Sequence, residues 1–203
     1  SMPNIKVGKF ITQVILQNIE VEDIDLSNAT DLRSAWVQNN PALQKLDLSY
    51  STIWGQGDKE TEGNGTYGSS LMVLGCPILK EIKLPEKNEL KAYRIDIECL
   101  DALETFDMSN VKMVAELSIG DLNKDFNLVY PELTIFYSED GYAGTYFACS
   151  ENTFYRESTQ AFLKANYTDI DPDDTVRRLG YTSSLSYDKN KGCRWRTLLN
   201  KQK

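Results

Sequence analysis

The chain contains no histidine. That absence takes away the usual general base at neutral pH, the commonest zinc ligand and the usual activator of a serine or cysteine nucleophile, so several enzyme classes lose their ordinary machinery together. Positive charge is also in short supply. The 22 Lys and Arg stand against 30 Asp and Glu, a net charge of −8, which argues against attraction to phosphate backbones or anionic lipid surfaces. Nucleic acid is therefore not an expected partner. Apolar runs reach only a few residues, against roughly 20 for a membrane-crossing helix, so no membrane insertion is expected. Four cysteines are present, none spaced C-x-x-C, which speaks against a zinc ribbon or a redox pair. No phosphate-binding loop, dinucleotide fingerprint or nucleophile elbow occurs, and no cofactor is expected. The opening Ser-Met-Pro has neither the charged start nor the apolar core of a signal peptide.

What is present is a repeat. Pro41-Ala-Leu-Gln-Lys-Leu-Asp-Leu48, Pro77-Ile-Leu-Lys-Glu-Ile-Lys-Leu84 and Asp101-Ala-Leu-Glu-Thr-Phe-Asp-Met108 share the pattern x-x-Φ-x-x-Φ-x-Φ, with Φ apolar. Self-similarity of this kind marks stacked units, each too small to hold a core alone. The second Φ gives anchors at Ile24, Leu46, Ile82 and Phe106, at intervals of 22, 36 and 24 residues. Spacings in the low twenties belong to the leucine-rich-repeat class, in which each unit supplies one short parallel strand and a return segment. The long interval contains Gly55-Gln-Gly-Asp-Lys-Glu-Thr-Glu-Gly-Asn-Gly-Thr-Tyr-Gly-Ser-Ser70, a glycine-rich polar stretch that reads as a loop inserted into one unit.

Leu32, Leu90 and Val114 each follow an anchor strand by six residues and are expected in the core of the return leg. The next unit is expected to end in Leu133-Thr-Ile-Phe136, with Leu133 27 residues after Phe106. The expected fold class is thus a mostly β and loop α/β solenoid, a right-handed leucine-rich-repeat superhelix with a short parallel sheet. Its expected divisions are an N-terminal cap over 1–22, repeats over 23–137 carrying the 55–70 loop, and a C-terminal cap or small subdomain over 138–203. In that last part Tyr155 to Tyr167 reads as a helix with Phe162 and Leu163 on its apolar face. Tyr181 to Tyr187 and Cys193 to Leu199 read as a hairpin.

Gly75-Cys-Pro-Ile-Leu-Lys-Glu-Ile-Lys-Leu-Pro85, followed by Glu98-Cys-Leu-Asp-Ala-Leu-Glu-Thr-Phe-Asp-Met-Ser109, resembles repeats of the BspA-like leucine-rich-repeat family, where a Cys shortly precedes a Leu-x-x-Ile-x-Leu-Pro strand. Asn39 to Ser49 fits the same pattern with Asn40 in place of the Cys. The resemblance covers about residues 18 to 136. It implies a bacterial protein at the cell surface or secreted, attaching to host or neighbouring-cell proteins through its repeat face. The 55–70 insert, the coil after Met108 and the C-terminal third depart from the family pattern.

Strand residues alternate sides, so inward anchors leave Asp25, Asp47, Lys83 and Asp107 in one outward row, with Lys83 between two aspartates. That row is the candidate partner-binding strip; the competing reading is a solvated face whose charges aid solubility. Trp54 and Tyr67 flank the glycines of the insert and are candidate contacts, the alternative being that Trp54 packs on the coil. The expected function is non-catalytic protein binding or adhesion. Two alternatives are a carbohydrate-binding surface protein, with Trp54, Tyr67, Tyr137, Tyr142, Tyr146 and Tyr155 as stacking platforms, and an intracellular effector or phage-encoded interaction protein.

Cys76 and Cys99 lie 23 residues apart and are expected to stack as buried thiols, with a disulfide between them as the alternative. Cys149 and Cys193 form another candidate pair, and the sequence leaves the three pairings open. Asp169, Asp171, Asp173 and Asp174 are chemically suitable for calcium, but Asp and Pro starting a helical turn account for the same residues, so no metal is expected.

Overall fold

The computed structural model of the chain describes residues 4–56, 68–120, 122–123, 126–135, 138–139, 142–143, 145–168, 182–185, 193–198 and 201–202. From Ile5 to Val129 the chain alternates between short and long strands. The short ones are β1 (Ile5–Lys6), β3 (Ile24–Asp25), β5 (Lys45–Asp47), β7 (Glu81–Lys83), β9 (Thr105–Asp107) and β11 (Asn127–Val129). Between them lie β2 (Gln13–Gln17), β4 (Ser34–Gln38), β6 (Ser70–Leu74), β8 (Leu90–Glu98) and β10 (Val111–Gly120).

Each long strand pairs in parallel with the next, so one sheet grows by a strand per repeat. It reaches eight strands by adding β14 (Tyr146–Cys149) in parallel, then β17 (Cys193–Leu198) and β16 (Thr182–Leu185) antiparallel. Strands β5, β7, β9 and β11 form a second, four-stranded parallel sheet, and β1 pairs with β3 in parallel. The remaining elements are short. β12 (Ser138–Glu139) pairs with β13 (Tyr142–Ala143), β15 (Tyr167–Thr168) with β18 (Lys201–Gln202), and α1 (Glu151–Phe154) precedes α2 (Glu157–Asn166). The protein is thus mostly parallel β-sheet with few helices, and no sheet closes into a barrel among the described residues.

The core lies where the inward residues of both sheets meet. Leu46, Ile82, Phe106 and Ile24 from the short strands are buried, as are Val37, Val73, Ile95, Ile97, Leu117 and Ile119 from the long ones. Each such side chain stabilises the fold by about 1.5–3 kcal/mol on burial. Leu32, Leu90 and Val114 are buried as the six-residue offset requires. Four-residue or longer β runs on the return leg explain why the units need so little helix. Ile5 to Glu22 supplies β1 and β2, which pair in parallel with β3 and β4.

The repeat after Met108 differs from expectation. Leu128, not Leu133, pairs with Phe106, and the interval is 22 residues. Leu133 is only partly buried against the core edge. Asn127-Leu-Val129 offers a single inward apolar residue and is followed by Pro131, whereas Leu133-Thr-Ile-Phe136 is the richer apolar run. In the C-terminal third, α2 buries Phe162 and Leu163, and Phe162 stacks on Tyr130 with ring centres 4.7 Å apart and meets Phe147 at 5.5 Å. β16 and β17 pair antiparallel, as a hairpin reading anticipates.

β2, β4, β6 and β8 leave the sheet through left-handed residues: Asn18, Asn39, Gly75 and Cys99 have φ of 54°, 53°, 62° and 54°. Asn and Gly accept this conformation readily, whereas Cys99 does so against its preference. This alignment moves the cysteines out of step. Cys99 is equivalent to Gly75, and the equivalent of Cys76 is Leu100, with Asn40 one unit earlier; the intervals of 36 and 24 match those of the anchors. The expected Cys76–Cys99 stack is therefore absent. Cys99 is disulfide-bonded, whereas Cys76 and Cys149 are buried free thiols, so neither the Cys76–Cys99 nor the Cys149–Cys193 bridge forms. Burial pushes the Cys76 thiol up to about 11.

Candidate functional site

The outward face of the four-stranded sheet carries the predicted row. Asp47 pairs with Lys83, and the register that sets Glu81 beside Thr105 continues to bring Lys83 alongside Asp107. Asp25 belongs instead to the β1–β3 pair, beside Lys6.

The three aspartates share one task. Asp25 Oδ1 accepts a hydrogen bond from the Ser27 N–H at 2.9 Å, Asp47 Oδ1 from Ser49 at 2.9 Å and Asp107 Oδ1 from Ser109 at 2.8 Å. Each carboxylate thus closes a turn by binding a backbone donor two residues on, as Asp does at turns generally. Hydrogen bonds from Ser27, through side chain and backbone, hold the Asp25 carboxyl below the usual range. After β3, the two units without Asp explain themselves the same way. Lys83 is followed two residues later by Pro85 and Val129 by Pro131, and proline has no N–H to give. The alternation Asp47, Lys83, Asp107 is thus set by turn chemistry and not by charge pattern alone.

A cavity of about 240 Å³ opens where the Asp-x-Ser pattern is broken. Leu84, Pro85 and Leu90 line it together with the polar groups of Glu81, Lys83, Glu86, Thr105, Asp107 and Asn110. Lys83 Nζ meets Glu86 Oε1 at 3.1 Å, and this pairing raises the lysine above its ordinary value. Lys45 Nζ lies 3.2 Å from Glu81 Oε2 and 3.8 Å from Asp47 Oδ2. The volume is below the roughly 300–1,000 Å³ of small-molecule sites and matches one or two inserted side chains better than a cofactor.

The other predicted contacts fall differently. Trp54 is buried at 0% exposure, its indole N–H donating to the Ser70 carbonyl at 3.2 Å, so it is a core residue and neither a partner anchor nor a sugar platform. It plugs the base of the insert, where the Gly55 N–H donates to Ser69 Oγ at 2.7 Å. Gly55 has φ 78°, and a side chain there would press to 2.7 Å from Leu90. Tyr67 lies outside the described residues, as do Tyr137 and the calcium candidates Asp169, Asp171, Asp173 and Asp174. Tyr155 is exposed. No group of three or more potential metal ligands occurs among the described residues.

Sequence reasoning missed the carboxylates of the other sheet. Asp96 is 2% exposed on the outward face of β8, between Met72 and Ser118 of the neighbouring strands. Arg94 reaches Asp96 Oδ2 at 3.9 Å and Glu116 Oε2 at 3.3 Å. Burial pushes the Asp96 carboxyl up to about 6, against hydrogen bonding to Glu98 and the Arg94 charge. Arg94-Ile-Asp-Ile-Glu98 alternates like any half-exposed strand, so nothing in it signals that its polar face is covered. Comparison of the chain with protein-family models, curated proteins and solved structures finds no match. No helix among the described residues is long and apolar enough to cross a membrane.

Proposed function

We propose that the chain is a leucine-rich-repeat solenoid that binds a partner protein, without catalysis, on the outward face of the four-stranded sheet. The observation that carries this is the cavity at the break in the Asp-x-Ser pattern, which joins an apolar floor to charged and hydroxyl groups on a preorganised sheet. A rigid sheet loses little conformational freedom on association, and a side-chain-sized recess suits an anchor residue from another protein. The regular alternation of short and long strands supports the solenoid, as does the one-strand-per-repeat growth of both sheets. The resemblance to BspA-like repeats and the disulfide at Cys99 support a surface or secreted setting, since disulfides persist in oxidising compartments. The 55–70 loop stands beside this sheet in sequence and is the second part of the proposed binding surface.

The test is cross-linking capture from the surfaces of host or neighbouring cells with the wild-type chain and with Thr105→Trp, which fills the recess from an exposed position and leaves the Asp-x-Ser turns intact. A specific protein captured by the wild type and lost with Thr105→Trp is the expected result. Equal capture by both would move the binding face elsewhere, and a variant lacking residues 57–67 reports the share of the insert.

A further inference from the structure

We infer that two copies of this chain pair through the open edge of β2, in antiparallel register about Ile15, to join their long sheets into one. β2 is the terminal strand of the eight-stranded sheet, and among the described residues nothing pairs with its outer side. Edge strands are ordinarily protected by charge, proline or a bulge. β2 has none of these. Residues 10–19, Phe-Ile-Thr-Gln-Val-Ile-Leu-Gln-Asn-Ile, hold no charge, proline or glycine in a chain that is 26% charged. In composition β2 matches the interior strands Ser-Ala-Trp-Val-Gln (β4) and Ser-Leu-Met-Val-Leu (β6), which are covered on both sides. Phe10, Ile11 and Ile15 are 83%, 44% and 49% exposed and account for three of the six most exposed large apolar residues described.

The choice of a second copy as the occupant comes from the strand's own symmetry. Gln13-Val-Ile-Leu-Gln17 reads nearly the same in both directions. Antiparallel pairing about Ile15 sets Ile15 against its twin, Val14 against Leu16 and Gln13 against Gln17, with no charge opposed to any other. The backbone agrees with this register. Ser34 donates to the Thr12 carbonyl and Asn18 donates to the Gln38 carbonyl, so even-numbered residues of β2 face β4. Alternation then directs the N–H and C=O of Gln13, Ile15 and Gln17 to the open side. An antiparallel pair exchanges both bonds at directly opposed residues, and the Ile15, Gln13–Gln17 and Gln17–Gln13 pairs use all six outward groups of the two strands' donors. A two-fold axis through Ile15 places Val14 and Leu16 of both copies on the core-facing side, where they extend the apolar stack. Such an isologous contact closes on itself and stops at two copies.

Sedimentation of the 203-residue chain over a concentration series tests this. A species of twice 23.1 kDa is expected. Ile15→Lys removes apolar area from an exposed position and opposes two charges at the axis. Gln13→Pro removes an outward N–H and no apolar area, so it separates strand pairing from mere stickiness. Both are expected to weaken the dimer by roughly tenfold or more with circular dichroism unchanged. Ile15→Cys is expected to form an intermolecular disulfide, because opposed Cα atoms in a hydrogen-bonded pair stand about 5.5 Å apart. A wild-type chain that stays at 23.1 kDa throughout the series overturns the inference. So does a dimer whose Kd is unmoved by Gln13→Pro and Ile15→Lys, which would place the contact on another surface.

Discussion

Short and long strands of this protein turn their corners by different means. From β3 onward the short strands end in side-chain chemistry, an Asp carboxylate binding the N–H of a Ser two residues on, or a proline that needs no such acceptor. The long strands end in backbone conformation, with Asn18, Asn39, Gly75 and Cys99 in the left-handed region, and Asn39 Nδ2 donating to Asn18 Oδ1 at 2.6 Å. Just past that corner, Asn40 accepts from the N–H groups of Val21, Ala42 and Leu43. The contrast separates polar residues that hold the chain together from polar residues that are available to a partner. By that division, the outward aspartates are structural and the recess beside Lys83 is available.

The largest effect expected from breaking this comparison is at the long-strand corner. Asn40→Ala leaves three N–H groups without their acceptor at a fully buried site and is expected to cost about 3 kcal/mol in chemical denaturation. An unchanged midpoint would mean that the corner is held by backbone conformation alone.

Asp96 on a long strand and Asp25 on a short one should also respond to pH in opposite senses. The folded chain holds the Asp96 proton more tightly than the unfolded chain does, so its contribution to stability is fully present below the ordinary carboxylate range and is lost as pH rises through about 6. Asp96→Asn is expected to abolish that loss, on the order of 2 kcal/mol, when denaturation curves at pH 4.5 and 7.5 are compared. Asp25 is held below its usual value, so its contribution is present above that range and disappears as pH falls through the lowered value. Parallel pH profiles for wild type and Asp96→Asn would show that the buried carboxylate is not the source of the slope.

The smallest effect sharpens the comparison within one row. Asp47→Ala removes a turn acceptor and is expected to cost about 1 kcal/mol, whereas Lys83→Ala breaks only exposed ion pairing and is expected to cost less than Asp47→Ala. Equal costs would return the row to a charge-pattern account.

Much of the fold was legible because the repeat wrote its inward residues at constant offsets. Ile24, Leu46, Ile82 and Phe106 were recoverable from apolar spacing alone, and so were Leu32, Leu90 and Val114. Leu128 was not, since Asn127-Leu-Val129 offers one apolar anchor beside a richer run at Leu133. The cysteines are out of step by a single residue because backbone conformation, not residue identity, sets the equivalence: Cys99 stands at a left-handed corner that Gly75 occupies one repeat earlier. Asp47, Lys83 and Asp107 lie in one row and Asp25 falls outside it, and the meaning of the row lies in residues two positions on. Asp-x-Ser and Lys-x-Pro read as charge variation until the Ser N–H and the missing proline N–H are counted. Trp54 looked like a loop aromatic, and only packing shows that it seals the base of the insert.

That seal has a practical consequence. With the Gly55 N–H bonded to Ser69 Oγ and the Trp54 indole to the Ser70 carbonyl, the two ends of the insert are tied to each other at the edge of the core. Closing a loop twice as long costs only about 0.6 kcal/mol more. A change in the length of the stretch between is therefore expected to cost the fold little as long as those tied ends are kept: a socket whose fitting can change while the wall stays the same.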